Sequence, residues 1–186
     1  MTTEDPGAHT EEKDRKAKKD SAAVYPVSPV VNGLVLAQAG SPEQIAKIRE
    51  LFLEYGRSLG FSLCFQGFEQ ELAALPGDYA PPEGRLLLAE YQGELAGCVA
   101  HKLDSEICEM KRLYLRPQFR GKGLGRSLTE TVIEEARNIG YHRMRLDTVE
   151  PMMKDAVGLY RQLGFIETAP YRTNPIAGAL YMELSL

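Results

Sequence analysis

Apolar residues recur every three or four positions at Ile45, Ile48, Leu51, Phe52 and Tyr55, and again at Leu124, Leu128, Val132, Ile133 and Ala136. That spacing gathers each set on one face of an α-helix and predicts two long amphipathic helices. The first has its start signals in place: Ser41 as N-cap, Pro42 at the first helical position and Gln44 where a capping box needs it. It is expected to run to about residue 59, and the second to be stopped by Gly140. Shorter helical patterns cover 68–75, ended by Pro76-Gly77, and 153–163, stopped by Gly164. Strand patterns fall at 33–37, 85–91, 95–103, 108–115, 143–148, 165–168 and 179–184. The turn Gln92-Gly93 joins the second and third of these into a hairpin of two largely buried strands. Antiparallel strands followed by strand–helix–strand–helix–strand predict an α/β (α+β) domain, a mixed central sheet flanked by helices.

The remaining sequence narrows the class. Residues 1–23 lack Val, Ile, Leu, Phe and Tyr, and 11 of them are charged. Such a stretch cannot bury enough apolar surface to offset its ordering entropy. A disordered charged tail and entry segment is therefore expected over 1–32, and one domain over 33–186. The three cysteines, Cys64, Cys98 and Cys108, have neither C-x-x-C spacing nor an even count, so no disulfide framework or zinc knuckle is indicated. The three histidines show no metal-ligand spacing, and no metal is expected. No apolar leader or membrane-length apolar run occurs, which argues for a cytoplasmic chain without membrane partners. The net charge of −4 argues against a nucleic-acid face, yet Arg112, Arg116, Arg120, Lys122 and Arg126 lie within fifteen residues.

Those cations surround the most informative feature, Arg120-Gly-Lys-Gly-Leu-Gly-Arg126, set between a predicted strand and a predicted helix. Glycines allow left-handed backbone and leave no Cβ to hold a ligand off the main chain. The helix start adds free N–H groups and a positive dipole end, which together suit a phosphate. Two familiar phosphate loops fit poorly. A Walker A loop needs Ser or Thr after Gly-Lys, and Gly123 stands there; a dinucleotide fingerprint starting at Gly121 needs glycine where Arg126 stands.

The run Leu113-Tyr-Leu-Arg-Pro-Gln-Phe-Arg-Gly-Lys-Gly-Leu-Gly125 resembles the central R/Q-x-x-G-x-G/A motif of the GNAT family of N-acetyltransferases. Some 40 residues on, Ala156-Val-Gly-Leu-Tyr-Arg-Gln-Leu-Gly-Phe165 is similar to the family's second motif, A-x-x-L-Y-x-x-x-G-F. The resemblance implies a GNAT acyl-CoA N-acyltransferase fold in which the strand ending near Leu115 and the strand starting near Arg143 splay apart around acetyl-CoA, the acyl donor. It implies that backbone amides of Arg120, Gly121, Lys122, Gly123, Leu124, Gly125 and Arg126 cradle the pyrophosphate. Leu113, Tyr114 and Leu115 would pair with the pantetheine arm as an added strand does. An asparagine that often opens the second-motif helix is replaced here by Met153.

The resemblance also points to Tyr160 as the group that assists the departing thiolate, although its place on the helix's apolar face equally suits packing. Glu109 is the candidate base that deprotonates the attacking amine, directly or through ordered water; equally it can pair with Lys111 or Arg145. Asp147 and Glu54 are further candidates. The implied reaction is direct acetyl transfer in a ternary complex to a primary amine, a small molecule first and a peptide N-terminus or lysine second. A coenzyme A-binding regulatory module stays open as the non-catalytic reading, as does a homodimer. The acceptor site is expected from Tyr55, Phe65, Phe68, the Tyr79-Ala-Pro-Pro loop and the segment 171–175.

Overall fold

The Ser41 hydroxyl accepts from the Gln44 amide at 3.2 Å and the Gln44 side chain accepts from the Ser41 amide at 3.1 Å, so the capping box forms and opens α1 (Pro42–Ser58). The computed structural model describes residues 28–31, 33–104 and 107–186; the segment 1–27, expected as tail, lies outside them. Three further helices follow: α2 (Phe68–Ala74), α3 (Leu124–Ile139) and α4 (Lys154–Gln162). Gly140 ends α3 in the left-handed region at φ 105°, where glycine carries no Cβ penalty. No helix among the described residues is long and apolar enough to cross a membrane.

The strands are β1 (Ser28–Val31), β2 (Leu34–Gln38), β3 (Arg85–Tyr91), β4 (Glu94–Asp104), β5 (Ile107–Leu115), β6 (Arg143–Val149), β7 (Ile166–Glu167) and β8 (Ala179–Ser185). They form one sheet in the order β1-β2-β3-β4-β5-β6-β8-β7. β1 to β5 make an antiparallel meander, β5 and β6 are parallel, and β8 pairs antiparallel with both β6 and β7. The mixed sheet flanked by helices is the architecture expected. Strand β1 falls inside the 1–32 expected as disordered tail and entry segment, and it pairs with β2 as the edge strand of the sheet.

Strict alternation in β3 splits its side chains between two apolar layers. Leu87 and Ala89 join Leu124, Leu128, Val132, Ile133 and Tyr160 from α3 and α4. Leu86 and Leu88 join Ile48, Leu51, Phe52 and Leu72 from α1 and α2 on the opposite face. Because β3 and β4 are buried on both faces, their apolar runs are nearly continuous.

One buried polar side chain stands apart. His101 on β4 is fully buried, packs edge-on against Tyr141 at 5.9 Å, and among the described residues neither ring nitrogen has a hydrogen-bond partner. Burial, helped by the nearby Arg85 charge, lowers its pKa to about 3. The folded state therefore holds a neutral imidazole that the unfolded chain protonates below about pH 6.5. This contribution is complete above that pH and is lost as pH falls toward 3. Acidification from pH 6.5 to about 5 is expected to remove roughly 2 kcal/mol of stability through this group alone. His101→Phe should flatten that acid limb in denaturant unfolding; an unchanged limb would exclude His101 as its cause.

Candidate active site

β5 and β6 pair only at Cys108↔Met144 and Glu109↔Arg145, and beyond that point both strands continue without pairing each other. The expected splay between Leu115 and Arg143 is thus present, and it leaves the edge of Leu113–Leu115 open toward β6. A bulge in β5 sets its direction. The β4–β5 register shifts between Cys98↔Tyr114 and Ala100↔Lys111, with Arg112 at φ 58°. Gly97 permits the close approach there, since a Cβ would lie 2.1 Å from the Tyr114 carbonyl oxygen.

The bulge is held by its own side chain. The Arg112 guanidinium gives Glu71 two parallel bonds, 2.8 and 2.6 Å, with Phe68 and Tyr55 rings 5.0 and 5.9 Å away. Tyr79 donates to the same carboxylate at 2.7 Å. Burial alone would raise the Glu71 carboxyl, but the Arg112 guanidinium outweighs it and holds that group below its ordinary value. Phe68 and Tyr79, expected in the acceptor site, therefore serve first to fix this arginine. The Phe65 side chain lies outside the described residues.

The glycine loop opens α3 as anticipated. Gly121 and Gly123 have φ of 73° and 79°, and α3 has no side-chain cap. The first helical bond runs from the Ser127 amide to the Gly123 carbonyl, so the amides of Leu124, Gly125 and Arg126 precede the helical ladder. Gly125 differs from the other two: its φ is ordinary, and a Cβ there would meet only Leu115 at 3.7 Å and Leu159 at 3.9 Å. Nothing inside the protein demands glycine at this position, whereas a ligand lying on the helix start would.

A cleft of about 740 Å³ occupies the splay, lined by Leu113, Tyr114, Leu115, Arg120, Gly121, Gly125 and the start of α4. Of the loop cations only Arg120 lines it, with Nε bonded to the Leu115 carbonyl at 3.0 Å. The Lys122 ammonium lies 5.2 Å and 5.5 Å from the Tyr91 and Phe119 rings, and Arg126 bonds Gln162 at 2.5 Å. Neither of these two side chains lines the cleft.

Two smaller cavities continue from the cleft. An inner one of about 60 Å³ shares Tyr55, Leu113, Met153 and Ala156 with the cleft and is closed by Tyr160, Asp147 and Lys111. A polar one of about 320 Å³ shares Gln66 and Lys111 with the inner cavity and extends past Gln70, Tyr79, Lys102 and Arg172. The chain thus presents a wide apolar cleft, a narrow junction at the splay point and a polar chamber beyond.

The candidate catalytic residues divide at this junction. Tyr160 is buried, stacks against Phe165 at 5.7 Å and reaches the inner cavity; burial raises its phenol well above the ordinary value. Glu109 is fully buried and lines neither smaller cavity. It is ion-paired to Arg172 and, at 3.7 Å, to Lys111, while Tyr171 lies 3.5 Å away. Of the two structural partners anticipated for it, Lys111 is realised and Arg145 instead pairs with Glu183 at 2.9 Å. Asp147 faces the inner cavity, with Oδ2 accepting from Gln66 at 3.3 Å and Asn174 at 3.0 Å. Glu54 is engaged by Arg116 through bonds of 3.1 and 2.7 Å, and those bonds hold its carboxyl below the ordinary range.

Lys111 is the site residue that sequence reasoning treated only as a partner. Its side chain is 8% exposed, and burial lowers its pKa against the opposing pull of Glu109. The signal was present: Glu109 and Lys111 are charges two apart on a strand whose alternate residues Cys108 and Met110 belong to the core, so both point to one face.

The architecture agrees with what comparison finds. The model of the Acetyltransferase (GNAT) family matches residues 45–165. The chain is 40% identical over 148 residues to an uncharacterized N-acetyltransferase of Schizosaccharomyces pombe, spanning 78% of this chain and 90% of that protein. It is 32% identical over 148 residues to the Escherichia coli N-acetyltransferase YjgM, spanning 76% and 84%. Among solved structures, an N-acetyltransferase from Thermoplasma acidophilum in complex with coenzyme A superposes with a TM-score of 0.64 at 17% identity, over 82% of this chain and 99% of that one. With a family match across most of the domain and a relative this similar along nearly its whole length, the chain belongs to the GNAT family of N-acetyltransferases.

Proposed function

We propose that the protein transfers the acetyl group of acetyl-CoA directly to the primary amine of a small molecule, in a ternary complex. The observation that carries this reading is the three-part passage at the splay of β5 and β6: apolar cleft, narrow junction, polar chamber. The cleft suits the donor. The exposed edge of Leu113, Tyr114 and Leu115 can pair with amide groups of a pantetheine arm, and the uncapped start of α3 at Gly123, Leu124, Gly125 and Arg126 can receive its diphosphate. The coenzyme A complex of the Thermoplasma fold relative supports the donor.

The junction suits the reaction. The acceptor nitrogen attacks the thioester carbon, the C–N bond forms, and the C–S bond breaks. The nitrogen gives up one proton, for which Asp147 is the carboxylate facing the junction. Glu109, set beneath, holds Lys111 and Arg172 in position and serves as a relay only through them or through water. The sulfur takes up one proton through the Tyr160 hydroxyl, so the products are amide and free thiol. Holding the two reactants on either side of a narrow junction removes much of the entropic barrier to their encounter.

A mixture of protein, acetyl-CoA and an amine panel, followed by free-thiol release and mass spectrometry of the amine, tests this reading. Thiol release matched by an acetylated small amine is the expected result. Acetyl-CoA binding in calorimetry with turnover confined to peptide amines would replace the small-molecule acceptor with a protein. Binding with no turnover at all would leave a regulatory module.

A further inference from the structure

Lys111 is a buried cation whose charge the protein itself only partly satisfies. Among the described residues its ammonium makes no hydrogen bond, and its one ion pair is Glu109 Oε2 at 3.7 Å. Glu109 divides its charge: Oε1 is engaged by Arg172 and Tyr171, while the buried Oε2 faces Lys111 beyond hydrogen-bond distance. A mostly shielded charge with a single distant partner gains from a further one, and the cavity its side chain lines is where an anion would be received. Lys111 forms part of the wall common to the junction and the polar chamber.

The other cations near the chamber are each matched. Arg112 is bound to Glu71, Lys102 to Asp78 at 3.2 Å, and Arg172 to Glu109. On the junction side stands the reverse case: Asp147, whose two hydrogen bonds among the described residues both fall on Oδ2. One cation and one carboxylate thus face the same narrow space with capacity to spare.

We infer that the acceptor is an α-amino acid, its amine directed toward Asp147 and its carboxylate held by Lys111, with its side chain extending into the polar chamber. This inference rests on the acetyl-transfer reading above and adds the acceptor's class and its specificity residue. A carboxylate one carbon from the reacting amine matches a site where the opposite charges line a single junction. An amine without that carboxylate leaves the Lys111 charge as it is, and so forfeits a charge-assisted bond in a shielded place.

The test pairs each of a panel of L-α-amino acids with the amine that lacks only its carboxyl group, and measures kcat/KM for both with wild type and Lys111→Met. Methionine suits the space and removes a buried charge, so the variant is expected to fold; thermal melting checks this. In wild type the best amino acid is expected to exceed its decarboxylated partner by about 10- to 100-fold. In Lys111→Met that ratio should collapse toward one, mainly through KM for the amino acid, and Lys111→Arg should restore part of it. Equal use of both acceptors by wild type, or an undiminished ratio in Lys111→Met, overturns the inference. Calorimetry with acetyl-CoA on the same samples separates the levels: binding with indifference to the carboxylate rejects this inference alone, whereas no binding rejects the acetyl-transfer reading and this inference with it.

Discussion

Gly125→Ala is expected to make the protein more stable and worse at binding acetyl-CoA. The position lies in the first turn of α3 with ordinary φ, and a methyl group there meets Leu115 and Leu159 at normal contact distance. Replacing glycine by alanine at such a site restricts the unfolded chain and is worth about 0.5–1 kcal/mol. For a domain of this size that is a rise of roughly 1–4 °C in Tm. The same methyl group stands in the wall of the cleft where the helix start would meet a diphosphate. Gly125→Glu puts a negative charge there as well, and juxtaposed like charges cost several kcal/mol, so affinity should fall about 100-fold or more. Gly121→Ala and Gly123→Ala behave in the opposite sense, because their φ of 73° and 79° makes any Cβ cost about 1–2 kcal/mol. Calorimetric Tm and titration with acetyl-CoA check the pair of effects. A Gly125→Glu variant that binds as wild type would remove the donor from this loop.

That contrast among three glycines was not legible in the sequence, which shows them only as equals in one motif. What was legible was local. The capping box at Ser41, the apolar stripe of α3 and the stop at Gly140 are each fixed by neighbours within a turn or two, and all three formed as expected. The splay of β5 and β6 was anticipated from the resemblance. What escaped were arrangements that need distant partners. Nothing in the identity of Arg112 announces a positive φ; it follows from Glu71, Phe68 and Tyr79 converging on its side chain from more than thirty residues away. The same convergence took Phe68 from the expected acceptor lining, while Tyr79 kept a place in the wall of the polar chamber. The basic cluster around the loop was read by proximity in sequence, and the fold sent Lys122 to an aromatic pair and Arg126 to Gln162. Lys111 was hidden because a charge beside Glu109 reads as a partner until the cavities on either side of it are known.

Tyr160→Phe should lower kcat by about 100-fold while leaving acetyl-CoA affinity within about twofold, a size typical of a lost proton donor. The ring's surroundings make this a clean substitution. Phenylalanine keeps the contact with Phe165 and the place in the apolar layer under α3 and α4, so the fold should lose nothing measurable. Only the hydroxyl at the junction is removed. The pH dependence carries the sharper test. Burial raises the Tyr160 phenol far above neutrality, so in wild type it keeps its proton throughout the range where the enzyme is folded. A group that does not titrate in the working range sets the height of a pH–rate profile and not its limbs. The variant's kcat profile is therefore expected to run parallel to wild type, about two decades lower on the logarithmic scale. A profile that loses its alkaline limb would mean that Tyr160 ionises within the working range and acts only while protonated, and a kcat within threefold of wild type would reduce it to a packing residue. The second outcome would pass the proton that reaches the sulfur to Tyr55, Thr148 or water, since those two side chains also line the junction.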